Sequence, residues 1–380
     1  MTNYSDSNNL TLREVAKTFI GLNCNMGVEK INKGLINSTY LITPDPKELR
    51  SQFILQSVNK DIFSKPEDVI YNYLLLEESF NLKRTSIDNH MHDYLKLPKL
   101  LLNSITQDKF IVKSNSFWRA FEYLTESKTF EKLPSPSYAE KIFKCLSSFH
   151  FLSSELNKER LTTILSNFHD TAYIYQQFEN ELDSFVSRND ISNKILDKFS
   201  ELVDYAISNK EEAFLLSEAK SNKLIANRAA HGDPKVNNFV FDTLSEDVIA
   251  LIDSDTLQPG YILDDIADCV RSSCNPGGEE PSFLSEVYFD LDFFELSLKG
   301  YFFHPYAMLN QVDMFYLPLN IRSITFELGL RFLTDFMRDN IYFKVSYPSQ
   351  NLYRTEVQFH LLSSIKSKWV DIIGIMNGLN

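Results

Sequence analysis

The segment His231-Gly232-Asp233-Pro234-Lys235-Val236-Asn237-Asn238 gathers a carboxylate, an ammonium and a carboxamide just ahead of a short apolar run, Phe239-Val240-Phe241. Phosphoryl transfer needs those types: a carboxylate to orient or deprotonate the attacking hydroxyl, divalent metal to neutralise phosphate charge, and fixed geometry between them. Asp233 is the candidate base. Asn238 follows at the offset that separates base and metal-binding asparagine in kinase-type catalytic loops. A second apolar run ends in Ile252-Asp253, and a strand-terminal carboxylate is where a kinase-type chain keeps its other metal ligand. Asn238 and Asp253 are therefore the expected holders of Mg²⁺. Lys235 is a mobile point charge within reach of the transferred phosphate or an acceptor oxygen. Singly, each motif reads as an ordinary turn or strand end; their joint order after a β-rich stretch carries the reading.

These groups need elements to position them. Residues 1–10 are polar and read as a loose tail, after which LREVAKTFI spaces its apolar residues as a helix. INKGLINSTYLITPDP and SQFILQSVN read as two antiparallel strands, and KFIVKS with FWRAFEYL as a further pair. Between them, SKPEDVIYNYLLLEESF starts with Ser64 as N-cap, Pro66 in the first turn and acidic residues beside it, the marks of a helix start. ESKTFEKLPSPS has weak patterning and reads as a hinge. From about Tyr138 to Asn227 the period is helical, the two catalytic stretches interrupt it, and it resumes to the C-terminus. The expected class is α+β, with two lobes sharing a cleft: a tail over 1–10, a nucleotide-binding lobe over 11–125, and a catalytic and acceptor-binding lobe over 126–380.

Composition narrows the partners. A chain of 380 residues exceeds what one core usually supports, and 43% hydrophobic residues exclude global disorder. A net charge of −13 without a dense basic run makes a nucleic-acid polymer a poor partner. No apolar run is long enough to span a membrane and the first residues lack signal-peptide character, so a cytoplasmic location is expected. Cys24, Cys145, Cys269 and Cys274 form no C-x-x-C pair and read as reduced thiols, and no histidine pair has zinc-site spacing.

The segments GLINSTYLI, FILQSVNKDIFSKPEDVI, FWRAFEYL, HGDPKVNNFVFD, IDSDTLQPGYILDDIADCVRSS and ELGLRFLTDFMRDNIYFKVSYPSQNLYRTEVQF lie within about residues 25 to 370. Together they resemble the aminoglycoside phosphotransferase and choline kinase superfamily, and within it the N-acetylhexosamine 1-kinase group. The resemblance implies a protein-kinase-like bilobal fold and transfer of the γ-phosphoryl of ATP to a hydroxyl of a small acceptor, a sugar or amino sugar first. It implies that Gly34, with Asn37 and Thr39, lies over the nucleotide phosphates. Gln56 then stands on the strand where many kinases keep a phosphate-binding lysine, and Glu122 to Leu124 lie near the nucleotide base. Arg331 and Tyr342 match positions that contact substrate hydroxyls, and Asp265 and Asp268 match carboxylates that hold the catalytic loop. Two positions depart from the group: Ser38 replaces an aspartate, and Ser272, after Arg271, replaces an aromatic residue. If both face the acceptor, the exchanges point to a changed acceptor. An amino alcohol, nucleoside or antibiotic acceptor, and a catalytically silent nucleotide-binding regulator, are the alternatives. The lack of a full G-x-G-x-x-G, DFG and APE set argues against a protein kinase.

Overall fold

A computed structural model describes residues 3–21, 25–31, 34–45, 51–85, 95–185, 193–303 and 307–378; Cys24, His90 and His92 lie outside them. The chain divides into two compact units, Met1–Tyr71 with Leu97–Ser127, and Asn72–Lys96 with Lys128–Asn380. The helix over Pro66–Thr85 is thus divided, its residues from Asn72 on belonging with the larger unit.

In the smaller unit, α1 (Asn3–Ile20) precedes five antiparallel strands: β1 (Met26–Ile31), β2 (Ser38–Pro44), β3 (Phe53–Val58), β4 (Phe110–Lys113) and β5 (Ser116–Glu122). Their order across the sheet is β1-β2-β3-β5-β4. Alternation selects the core face: Phe53 and Leu55 of β3, with Ile42, Trp118 and Ala120, pack against Val15, Ala16 and Phe19 of α1. The expected loose tail is corrected here, because residues 3–10 form the first turns of α1. Once LREVAKTFI is nucleated against the sheet, adding turns upstream avoids the nucleation cost. Helix α2 (Pro66–Thr85) carries the acidic first turn and basic last turn that favour its dipole. The two-residue β6 (Ser127–Lys128) falls at the division between the units.

The larger unit contains α3 (Pro136–Leu152), α4 (Thr171–Phe185), α5 (Asn193–Ser208), α6 (Ser217–Ser221), β7 (Arg228–Ala230), β8 (Phe239–Asp242), β9 (Val248–Leu251) and β10 (Gln258–Gly260). Then follow α7 (Ile262–Ser273), α8 (Leu291–Phe302), α9 (Gln311–Met337), α10 (Gln350–Ser367) and α11 (Trp369–Asn377). Phe178, Phe326, Leu330, Leu333, Phe359 and Leu362 form the centre of a core between α4, α9 and α10. Two antiparallel pairs, β7 with β10 and β8 with β9, frame the catalytic stretches. Cys145, Cys269 and Cys274 are free and buried, and burial pushes all three thiols up. Among the described residues no helix is long and apolar enough to cross a membrane.

Helices α3 and α8 meet at Gly300, where an added Cβ would run into the Glu140 main-chain carbonyl. A main-chain atom cannot rotate away, so Gly300→Ala should lower stability by about 1–3 kcal/mol, measured as a fall in urea midpoint at constant slope.

Candidate active site

The loop between β7 and β8 is held from below by Asp265 of α7. Its carboxylate is fully buried and accepts the His231 N–H at 2.8 Å and the Gly232 N–H at 2.7 Å. His150 Nε2 lies 3.1 Å from the same carboxylate and Nδ1 lies 2.9 Å from the Tyr301 hydroxyl. Gly232 has φ +86°, and an added Cβ would lie 2.9 Å from the Thr256 carbonyl, so glycine is required for two separate reasons. Thr256 Oγ1 also donates to the His231 carbonyl at 2.8 Å. The next N–H, that of Asp233, points to His231 Nδ1 at 3.3 Å, while His231 Nε2 faces the Ile252 carbonyl at 3.2 Å. Burial holds the His231 pKa below its ordinary value. A neutral ring protonated at Nε2 satisfies both contacts.

Asp233 emerges with its side chain 29% exposed and its Oδ2 2.7 Å from Lys235 Nζ. Burial alone would lower the Lys235 pKa, but the charges of Asp233, Glu279 and Asp253 outweigh it and keep the ammonium protonated well above its ordinary range. Asn238 donates its amide N–H₂ to the Asp233 carbonyl at 2.7 Å and lies 3.4 Å from Asp233 Oδ2. With the amino end engaged, the carbonyl oxygen of Asn238 is the atom of that side chain suited to bind a cation.

Asp253 reaches the same place through strand pairing. Phe239 of β8 is opposite Leu251 of β9, and the Ile252 N–H donates to the Asn238 carbonyl at 2.9 Å. Asp253, one residue further, has φ 65° and ψ 46°. It takes the left-handed conformation two residues after the end of β9, which Asp tolerates better than most residues. Among the described residues no cluster of three or more His, Cys, Asp or Glu side chains is placed to hold a metal. Asn238 and Asp253 present oxygen donors suited to a hard cation such as Mg²⁺, which would complete its shell with phosphate and water oxygens.

No protein-family model matches the chain. Solved structures do. An ethanolamine kinase of Plasmodium vivax is similar with a TM-score of 0.61 at 14% identity, over 96% of this chain and 91% of that one. A spectinomycin phosphotransferase in complex with ADP and spectinomycin gives 0.58 at 11%, over 93% and 96%. An aminoglycoside phosphotransferase of Alicyclobacillus acidocaldarius gives 0.56 at 13%, over 94% and 95%. The chain has the aminoglycoside phosphotransferase and choline kinase fold.

Within this kinase fold the larger unit also brings together Arg331 and Tyr342. Arg331 Nη2 donates to the Tyr342 hydroxyl at 3.2 Å, and the guanidinium lies over the rings of Phe168, Tyr342 and Phe343 at 5.1, 5.4 and 5.5 Å. The turn bearing Tyr342 is fixed by Asp335, whose carboxylate accepts the Tyr342 N–H at 2.7 Å, the Phe343 N–H at 3.0 Å and Asn351 Nδ2 at 2.9 Å. Asp268 pairs with Arg271 at 2.7 Å, and Arg271 continues to Glu279 at 3.0 Å. Ser272 is placed otherwise than its departure from the group implied. It is buried, accepts the Val236 N–H at 3.2 Å and donates to the Cys269 carbonyl at 3.2 Å, which makes it a support of the loop.

The residues expected at the nucleotide lie in the smaller unit of the kinase fold. Gln56 Oε1 accepts from Arg119 Nε and Nη2 at 3.0 and 2.8 Å, and Gln56 Nε2 donates to Thr39 Oγ1 at 3.2 Å. The register Gln56↔Arg119 explains the contact, and it sets a buried guanidinium on the strand beside Gln56. Asn37 Oδ1 accepts the Asn59 N–H at 3.0 Å, tying the loop that begins at Gly34 to the end of β3. Ser38 opens β2 opposite Ser57. The Glu122 N–H donates to the Lys99 carbonyl at 2.9 Å, and the Leu124 carbonyl accepts from Ser127 Oγ at 2.5 Å.

Two residues of the larger unit are given no role in the sequence reading. His169 Nε2 lies 2.8 Å from the Gly232 carbonyl, and its Nδ1 lies 2.9 Å from Glu327 of α9, which also accepts from Thr171 Oγ1 at 2.8 Å. Their contact spans 158 positions; Glu327 opens the ELGLRFL segment, but no motif pairs it with His169.

Asp265→Asn replaces a two-oxygen acceptor by one oxygen and one N–H₂, so at least one loop N–H loses its partner. The expected cost is about 1–3 kcal/mol, read as a lower urea midpoint, with faster amide exchange at His231 or Gly232.

Proposed function

We propose that this protein is a small-molecule kinase that moves the γ-phosphoryl of ATP, with Mg²⁺, onto a hydroxyl of a sugar or amino-sugar-like metabolite. The observation that carries the reading is the cluster in which Asp233 meets Lys235 at 2.7 Å, Asn238 donates to the Asp233 carbonyl at 2.7 Å, and the Ile252 N–H, next to Asp253, donates to the Asn238 carbonyl at 2.9 Å. Asp233 accepts a hydrogen bond from the acceptor hydroxyl and takes its proton as the new O–P bond forms and the bond from the γ-phosphorus to the bridging oxygen breaks, releasing ADP. Lys235 Nζ carries three N–H groups, so its pair with Asp233 leaves donors for a transferred phosphoryl oxygen. Asn238 and Asp253 hold the metal, which when bound neutralises phosphate charge. Gly34, Asn37, Thr39, Gln56, Glu122 and Leu124 are the nucleotide contacts in this reading.

Arg331 and Tyr342 support a hydroxyl-rich acceptor, because a guanidinium and a phenol offer donors to sugar oxygens and a flat apolar face. Ser38 remains an acceptor contact in the proposal. A second reading, an amine-bearing acceptor, draws support from the net charge of −13, which steers cations toward the protein.

Nucleotide turnover with Mg²⁺ across sugars, amino sugars, amino alcohols and nucleosides tests both. ADP release dependent on a sugar, lowered about 10²- to 10⁴-fold in Asp233→Ala and lost in Asp253→Ala, is expected. Turnover confined to amino alcohols would replace the first reading by the second. Tight nucleotide binding with no turnover on any acceptor would leave a silent regulator.

A further inference from the structure

The Gly232–Asp233 peptide is gripped at both ends by histidines. Its N–H points to His231 Nδ1 at 3.3 Å, and its carbonyl lies 2.8 Å from His169 Nε2. Because a peptide is planar, fixing both of its polar groups fixes the direction in which the Asp233 side chain leaves the loop. We propose that His169 is a positioning residue for the Asp233 loop, kept as an imidazolium so that it donates to the Gly232 carbonyl and to Glu327 at once. The inference rests on the kinase reading only for its effect on turnover.

Neither partner of His169 can donate: one is a carbonyl and the other a carboxylate. A neutral imidazole has one N–H, so it would satisfy one contact and set a lone pair against an oxygen in the other. The charge-assisted bond to Glu327 is the stronger, so the proton that leaves is the one facing Gly232. The surroundings favour the charged ring. Glu327 and Arg331 approach from α9, Asp264 and Asp268 from α7, and Lys220 of α6, which donates to the His169 carbonyl at 3.0 Å and pairs with Asp264 at 3.0 Å. Phe168 covers one side of the ring at a centroid distance of 4.2 Å. Burial alone would lower the His169 pKa, but Glu327, then Asp264 and the Gly232 carbonyl, raise it to about 9. A pKa raised on folding means that the contribution to stability is complete below about 6.5 and is lost as pH rises through about 9.

The test compares wild type with His169→Gln, whose amide can donate to one oxygen but does not titrate. With an acceptor that turns over, wild-type kcat should fall as pH rises through about 9. The variant should show kcat reduced about 10- to 100-fold, little change in acceptor KM, and no alkaline limb at that pH. In histidines labelled with ¹³C at Cε1, the resonance missing from the variant should titrate well above 6.5 in wild type, and amide exchange at Gly232 and Asp233 should rise about tenfold in the variant. Titration near or below 6.5, or a variant with wild-type exchange and an unchanged pH profile, overturns the proposal. If no acceptor turns over, the titration and the exchange still decide it. If the variant does not fold, comparison with His169→Asn supplies the assignment, and the wild-type protection of the Gly232 and Asp233 amides, taken relative to their intrinsic exchange rate at each pH, measured below and above pH 9 decides it: unchanged protection means that His169 does not hold the loop.

Discussion

A carboxylate with no water around it must find hydrogen-bond donors, and Asp265 finds them in two consecutive main-chain N–H groups. That arrangement makes the conformation of the loop a condition of burying the charge. Gly232 has to take a positive φ for its N–H to turn toward α7, and the close approach of Thr256 then forbids any side chain there. Everything downstream inherits the constraint: the exit direction of Asp233, the reach of Lys235 and the inward amide of Asn238. The groups proposed to carry the chemistry range from buried Asn238 through half-buried Asp233 and Lys235 to exposed Asp253, and the loop that places Asp233, Lys235 and Asn238 is held by a group that never meets solvent.

Around that loop the protein buries charge on a scale that has to be balanced locally. Lys220, Asp264, His169, Glu327 and Arg331 alternate in sign along one side, while Asp268, Arg271 and Glu279 do so on another. Such chains add little to net stability, because desolvation offsets most of the attraction, but removing one member strands its neighbour. Their value lies in rigidity: each side chain has few alternative partners. Arg331 and Tyr342 gain the same benefit from Asp335, which pins the turn after α9 through two main-chain N–H groups.

Much of this was legible in the sequence where it depended on neighbours along the chain. Strands β2 to β5 show their alternation and helix α2 its Pro66 start and acidic first turn, although Lys65 rather than Ser64 directly precedes it, and the separation of Asp233 from Asn238 directly encodes their contact. Strand β1 was not apparent because Glu29 and Lys30 stand side by side and break the alternation. The orientation of Ser272 was not legible because every residue of α7 is buried, so its period has no solvent face to mark which side points where. The turn at Asp339 and Asn340 lies in a stretch of helical patterning, yet both residues take positive φ, which Asn and Asp tolerate better than most. His169 and Glu327 meet only through tertiary folding, and nothing local announces the pair.

The hairpin of β8 and β9 separates two kinds of distance. Asn238 and Asp253 are joined across a ladder, so the length of the turn between Asp242 and Asp247 can drift through insertion and deletion without moving either donor. A single residue gained or lost within a strand would instead turn its side chains to the opposite face. The spacing of the two motifs can therefore change in the turn at less cost than in the ladder, which already takes up one register shift between Val240 and Phe241. A search keyed to a fixed interval would miss descendants that keep the site intact.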